Sequence, residues 1–197
     1  MALDNNKAEF EIAFFVVRQT SDLQGYIGAV LVTDSRGIPI EFNCTHPVRP
    51  TTVQKALYGK NLDTFVSFEL CGGPLLNALK STPGSCLVES SEMVGLRDVV
   101  SLPVVYVQRL GDVLTAQSDD PASERGAGAP NSQINRLDSR HGGFQPIAVH
   151  SHHGYESDVE EARPLLEHVF QNVDLLEPFE RITSALVTLS ERDERFR

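Results

Sequence analysis

The sequence predicts an α+β fold: one mostly antiparallel sheet of about five or six strands, with a long helix after the first hairpin and two C-terminal helices packed on one face. Three observations lead there. Residues 10–43 carry short runs rich in Phe, Val and Ile, two of them joined by a turn signal. Residues 52–70 then repeat their apolar side chains at three- and four-residue steps. Residues 159–189 hold two further apolar stripes at helical spacing. At 197 residues the chain is expected to form a single domain over 1–197, long enough to bury a real core.

The elements follow in order. "FEIAFFVVR" at 10–18 is short and apolar on both faces, as a buried strand requires. "YIGAVLVT" is a second strand, and "DSRG" at 34–37 places Asp first and Gly last, which suits a type I turn. Residues 26–43 therefore read as a hairpin. In its return strand Ile38, Ile40 and Phe42 point one way and Pro39 and Glu41 the other. Pro39 cannot donate to a ladder, so that strand belongs at an edge or begins there.

Thr51 with Gln54 three residues on matches a capping box and opens the expected helix over 52–70, weakened at Gly59. "CGGP" at 71–74 should stop it, and Leu75, Leu76 and Leu79 allow one more short helix. "CLVES" at 86–90 and "SLPVVYVQRL" at 101–110 are strand candidates, with "EMVGLRDVV" between them either a strand or an irregular crossing. Residues 116–143 lose all periodicity and are expected to be a mobile insertion or linker. "FQPIAVHSH" gives the last strand. Val159, Ala162, Leu165, Leu166, Val169 and Phe170 form one helical stripe. Leu175, Leu176, Phe179, Ile182, Leu186 and Leu189 form the other, whose helix starts near Pro178.

A net charge of −10, with no clustered Lys or Arg, argues against general nucleic-acid binding and against docking on an anionic membrane. The longest apolar run, "IAFFVV", is too short to span a bilayer, and "MALDNNKAEF" is unlike a signal peptide. Cys44, Cys71 and Cys86 are an odd set without tight spacing, which reads as reduced thiols in a cytoplasmic protein.

The most chemical segment is "IAVHSHHGYESDVEEA" at 147–162, with three histidines in four positions. His150 and His152 share one face if the strand stays extended, and Asp158 follows closely enough to be a third zinc ligand. "HSHH" followed by Ser and acids resembles the His-x-His-Pro, Ser-x-x-Asp pattern of JAMM-type zinc isopeptidases. That resemblance implies zinc held by the two histidines and an aspartate, with an upstream glutamate as acid–base. The sequence departs from the pattern: His153 stands at the proline position, the aspartate position falls near Arg163, and Glu41, Glu69 and Glu89 all stand upstream. The competing reading needs no metal. Ser157 with Glu160 forms a capping box, and Asp158, Glu160 and Glu161 suit the first turn of a helix.

Arg49 and Lys55, beside the amides that open the 52–70 helix, are candidates for holding an anion; the alternative is a capped helix with two solvated cations. Cys71 is either a thiol activated by a helix start or a buried structural cysteine. "GAVLVTDSRGIPIEF" resembles the β-hairpin of roadblock and longin-type domains, which implies a small scaffolding domain that dimerises. With no complete catalytic set, the expected function is a cytosolic protein-interaction or scaffolding domain without catalytic activity or cofactor, meeting a protein partner or itself. The alternative is a zinc-dependent hydrolase using His150 and His152 with a nearby carboxylate.

Overall fold

A computed structural model of the chain describes residues 10–111, 135–139 and 143–196. Seven strands form one sheet in the order β3-β2-β1-β4-β5-β7-β6. They are β1 (Ile12–Gln19), β2 (Tyr26–Thr33), β3 (Pro39–Cys44), β4 (Cys86–Val88), β5 (Val104–Arg109), β6 (Asn135–Leu137) and β7 (Ile147–Ser151). The sheet is mixed, not mostly antiparallel, and has more strands than expected. β1 pairs parallel with β4, and β4 with β5, because the segments between them are crossovers and not tight turns. β2, β3, β6 and β7 pair antiparallel. Of the expected insertion over 116–143, Asn135–Leu137 forms β6 against β7, and 116–134 and 140–142 lie outside the described residues.

The first hairpin forms as the sequence predicts. The amides of Arg36 and Ile38 each donate to Asp34 Oδ1 at 2.9 Å, and Gly37 takes the positive φ of 77° that the turn demands. β3 is an edge strand and begins at Pro39. β1 is central and buried on both faces, which explains why its sequence runs apolar without alternation.

Helices cover both faces. On one, Ile12, Phe14 and Val16 of β1 pack against α4 (Ser157–Val169) and α5 (Glu177–Arg192), through Val159, Leu166, Phe179 and Ile182. These are the two C-terminal helices that the stripes predict. On the other face Ala13 and Phe15 meet the segment after the hairpin, through Val66, Cys71 and Leu75.

That segment is not one long helix. α1 (Thr52–Tyr58) ends where Gly59 adopts φ 51°; a 3₁₀ turn leads to α2 (Leu62–Phe65), a π-helical stretch (Val66–Gly72) and α3 (Gly73–Asn77). "CGGP" does not stop the helical path, because Pro74 sits in the first turn of α3, where no amide is needed. The π-helical stretch lies directly on β2. A Cβ at Gly28 would come within 2.6 Å of Cys71 Cβ, so glycine is what admits this approach. The ambiguous stretch between β4 and β5 is a 3₁₀ segment over Ser91–Asp98. Among the described residues no helix is long and apolar enough to cross a membrane.

Candidate functional site

β2 and β3 lie to one side of β1, and β4 and β5 to the other, so the chain reverses its winding between β1 and β4. In open α/β sheets the crevice beyond the carboxyl ends of the strands at such a point is where ligands bind. The register sets Phe15 beside Val88. Arg18, near the end of β1, and Glu89, just past β4, therefore emerge together. Both follow residues that alternate onto the α5 face, Phe14 and Val16 in β1 and Leu87 in β4.

The Arg18 guanidinium grips Glu89 with both terminal nitrogens. Nη2 donates to Oε2 at 2.8 Å, and Nη1 donates to Oε1. Nη2 also donates to Thr183 Oγ1 of α5 at 2.9 Å, and Nη1 to the Val17 carbonyl at 3.2 Å. Thr183 in turn donates its hydroxyl to the Phe179 carbonyl at 2.9 Å, which turns its lone pairs to Arg18. The Arg18 and Glu89 side chains stay 32% and 30% exposed. They line a cleft of about 270 Å³ with Glu180 and Ser184. On the other side of Arg18, Ile27, Leu186, Val187 and Phe196 line an apolar cleft of about 240 Å³.

A second polar group lies on the opposite face of the same end of the sheet. Val88 stands beside Tyr106, and Tyr106 beside His150. Tyr106 donates its hydroxyl to Gln108 Oε1 at 2.8 Å, and Gln108 Nε2 lies 3.0 Å from His150 Nε2. Because the amide oxygen is the acceptor for Tyr106, the amide nitrogen donates, and His150 Nε2 accepts as a neutral imidazole. Burial pushes the His150 pKa below its ordinary value, in keeping with that tautomer. The Tyr106 and His150 rings stack 5.7 Å apart over a cavity of about 180 Å³ that Ser91 and Val94 also line.

The residues singled out in the sequence are not brought together. His150 faces Gln108. His152 Nδ1 is 3.9 Å from Asp98 Oδ1, and the exposed His153 is 3.2 Å from Glu156. Asp158 is 1% exposed; its Oδ2 accepts from Arg97 Nε at 2.8 Å and from the Val104 amide at 3.1 Å. Among the described residues no three His, Cys, Asp or Glu side chains gather as a metal site. The Ser157–Glu160 capping box is not formed either: α4 follows Glu156 without a side-chain cap, and Asp158 anchors the helix through Arg97. Arg49 reaches Asp22 Oδ2 at 3.2 Å, Lys55 is exposed on α1, and the start of α1 is closed by the Thr51–Gln54 box. Burial raises the Cys71 thiol pKa to about 11, the state of a structural cysteine.

Sequence reasoning missed Arg18 altogether and placed Glu89 only as a distant acid–base candidate. The available signal was a single charge at the end of each of two apolar strands, "FFVVR" and "CLVE". What could not be read was that those strands are parallel neighbours.

No protein-family model and no curated protein matches the chain. Solved structures do: human ENDOV aligns over 91% of this chain and 87% of its own, with a TM-score of 0.50 and 14% identity. The fold is similar to that of human ENDOV. Ciona intestinalis endonuclease V, solved with a 24mer DNA containing an inosine followed by a ribo-adenosine, aligns over 91% and 88% with a TM-score of 0.48 and 13% identity. Endonuclease V from Streptomyces avermitilis aligns over 83% and 71% with a TM-score of 0.45 and 15% identity.

At this identity the likeness to human ENDOV is one of fold. It corrects the expectation of a non-catalytic interaction or scaffolding domain, and with it the expectation that nucleic acid is not a partner. The zinc-hydrolase alternative is corrected as well: Asp158 is held by Arg97 and the Val104 amide, His150 faces Gln108, and among the described residues no three such side chains gather as a metal site. Nucleases commonly hold divalent ions between several carboxylates. The donors at the strand ends do not fit such an ion: both Glu89 oxygens are taken by Arg18, and Glu180 is the only other carboxylate among the lining residues.

Proposed function

We propose that the chain engages nucleic acid across the carboxyl ends of β1, β4 and β5, with a backbone phosphate at Arg18 and an adjoining nucleotide in the neighbouring clefts. The observation that carries this reading is a guanidinium about one-third exposed, in a cleft, at the winding reversal of a fold similar to that of human ENDOV. A fork of N–H donors suits phosphate oxygens better than any other side chain does. The apolar cleft beside it offers Ile27, Leu186 and Phe196 to the flat face of a base or sugar. A cytosolic setting suits the three free thiols.

The charge of −10 shapes the reading. A duplex held along its backbone needs many Lys and Arg contacts, and no such surface is available in the sequence. Recognition through one or two phosphates of a single strand, backed by apolar contact, is compatible with an acidic protein. Such binding has a shallow salt dependence, a log–log slope of about −1 for one or two single-strand phosphates.

Fluorescence anisotropy with labelled single-stranded DNA and RNA, between about 50 and 200 mM salt, tests this. Saturable binding with that shallow slope is expected, weakened about tenfold or more in Arg18→Gln. Absence of saturable binding to either strand, or equal binding by the variant, would contradict the reading.

A further inference from the structure

All four Nη hydrogens of Arg18 are already used: two by Glu89, one by Thr183 and one by the Val17 carbonyl. The bidentate face, the one that matches two oxygens of a phosphate, is the face occupied by Glu89. The pair is neither buried nor freely solvated, at about one-third exposure on each side chain. Glu89 lies one residue beyond β4 and opens onto the cleft that holds Glu180 and Ser184, so its carboxylate has room to leave Arg18. A divalent ion does not fit here, because both Glu89 oxygens are held by Arg18 and, among the described residues, Glu180 is the only other carboxylate lining the cleft.

We infer that Glu89 is a built-in competitor for the anion site: its carboxylate occupies the Arg18 fork in the free protein, and a phosphate group binds by displacing it, without a divalent metal. The inference rests on the reading of this site as a phosphate seat and adds its regulation. Arg18 is the binding residue and Glu89 the stand-in anion, with Thr183 holding the guanidinium in the cleft while the two exchange. No covalent step is involved. The exchange swaps one pair of charge-assisted hydrogen bonds for another, so the native affinity for a small phosphate is the difference between two similar interactions. Removing the competitor's charge should therefore strengthen binding, the opposite of what loss of a metal ligand or of a supporting ion pair would do.

Pyrophosphate titration followed by ³¹P line broadening tests this on the full chain, with native protein, Glu89→Gln and Arg18→Gln, each in EDTA and again in magnesium. Glu89→Gln is expected to bind about tenfold tighter than native, Arg18→Gln not at all, and EDTA to change nothing. Should Glu89→Gln melt abnormally, Glu89→Ala, which removes the competing carboxylate without leaving an amide in the fork, is expected to give the same tightening, about tenfold. Glu89→Gln binding no tighter than native, or binding that requires magnesium, overturns the inference. The two proposals fail separately. If native protein ignores oligonucleotides while Glu89→Gln gains pyrophosphate, the nucleic-acid reading falls and the competitor stands; if oligonucleotides bind and Glu89→Gln changes nothing, the reverse holds.

Discussion

Two arginine–carboxylate pairs, Arg97–Asp158 and Arg18–Glu89, do different work. Arg97 and Asp158 join the 3₁₀ segment to the first turn of α4, where Asp158 is 1% exposed and Arg97 17%. A single bond from Arg97 Nε to Asp158 Oδ2 joins them, Arg97 Nη1 reaches the Val100 carbonyl at 2.8 Å, the Val104 amide donates to Asp158, and the Tyr155 ring lies 4.4 Å from the guanidinium. Arg18 and Glu89 instead form a two-bond fork, in a cleft at the strand ends with about a third of each side chain exposed. The contrast separates a pair that holds elements together from a pair that can open. A buried pair cannot be broken without leaving a desolvated charge, whereas a partly exposed pair exchanges its partner for water or a ligand at small cost.

The largest effect should come from breaking the buried pair. Asp158→Ala leaves the Arg97 guanidinium uncompensated and is expected to lower stability by about 3–5 kcal/mol, read as a fall in the thermal midpoint of roughly 6–20 °C for a chain of this length. Tyr155→Leu, which removes the ring beside Arg97, should cost about 0.5–2 kcal/mol in the same melt. Arg18→Gln or Glu89→Gln should cost about 1 kcal/mol or less, and that small loss should shrink further in high salt while the Asp158 effect persists. Equal losses at the two pairs would break the distinction.

His150 gives a smaller effect with a definite sign. Its pKa in the folded protein lies below the ordinary 6.5 because the ring is buried against Gln108. The unfolded chain then binds the proton more readily, so stability rises with pH through that range. The contribution is fully present above about pH 6.5 and is lost as the pH falls through the folded value. Denaturant unfolding should therefore show a lower midpoint at pH 5.5 than at 7.5, with the gap reduced in His150→Gln. An unchanged gap would mean that another group carries the pH dependence.

What the sequence made legible follows the range of the interactions involved. The hairpin and its Asp34–Gly37 turn, the edge position of Pro39, the Thr51–Gln54 box and the two C-terminal stripes depend on neighbours within a few residues, and all formed. The sheet's mixed pairing depends on crossovers, which periodicity does not report. Asp158 reads locally as either a zinc ligand or a first-turn helix acid, because its actual partner, Arg97, is 61 residues away. Arg18 and Glu89 are 71 residues apart, and nothing local marks them as partners. The histidines drew notice by composition, yet strand geometry sends His150 to Gln108, while Asp158 faces Arg97.

Amide hydrogen exchange with and without a single-stranded oligonucleotide tests the central claim most directly, because it reports where a ligand sits and not only whether it binds. Slower exchange at the ends of β1 and β4, around residues 18–20 and 89–91, and along α5 near residues 183–187 is the predicted result. Protection confined to β3, to the α4 surface or to the segment around His152 and His153, with the strand ends unchanged, would contradict the account.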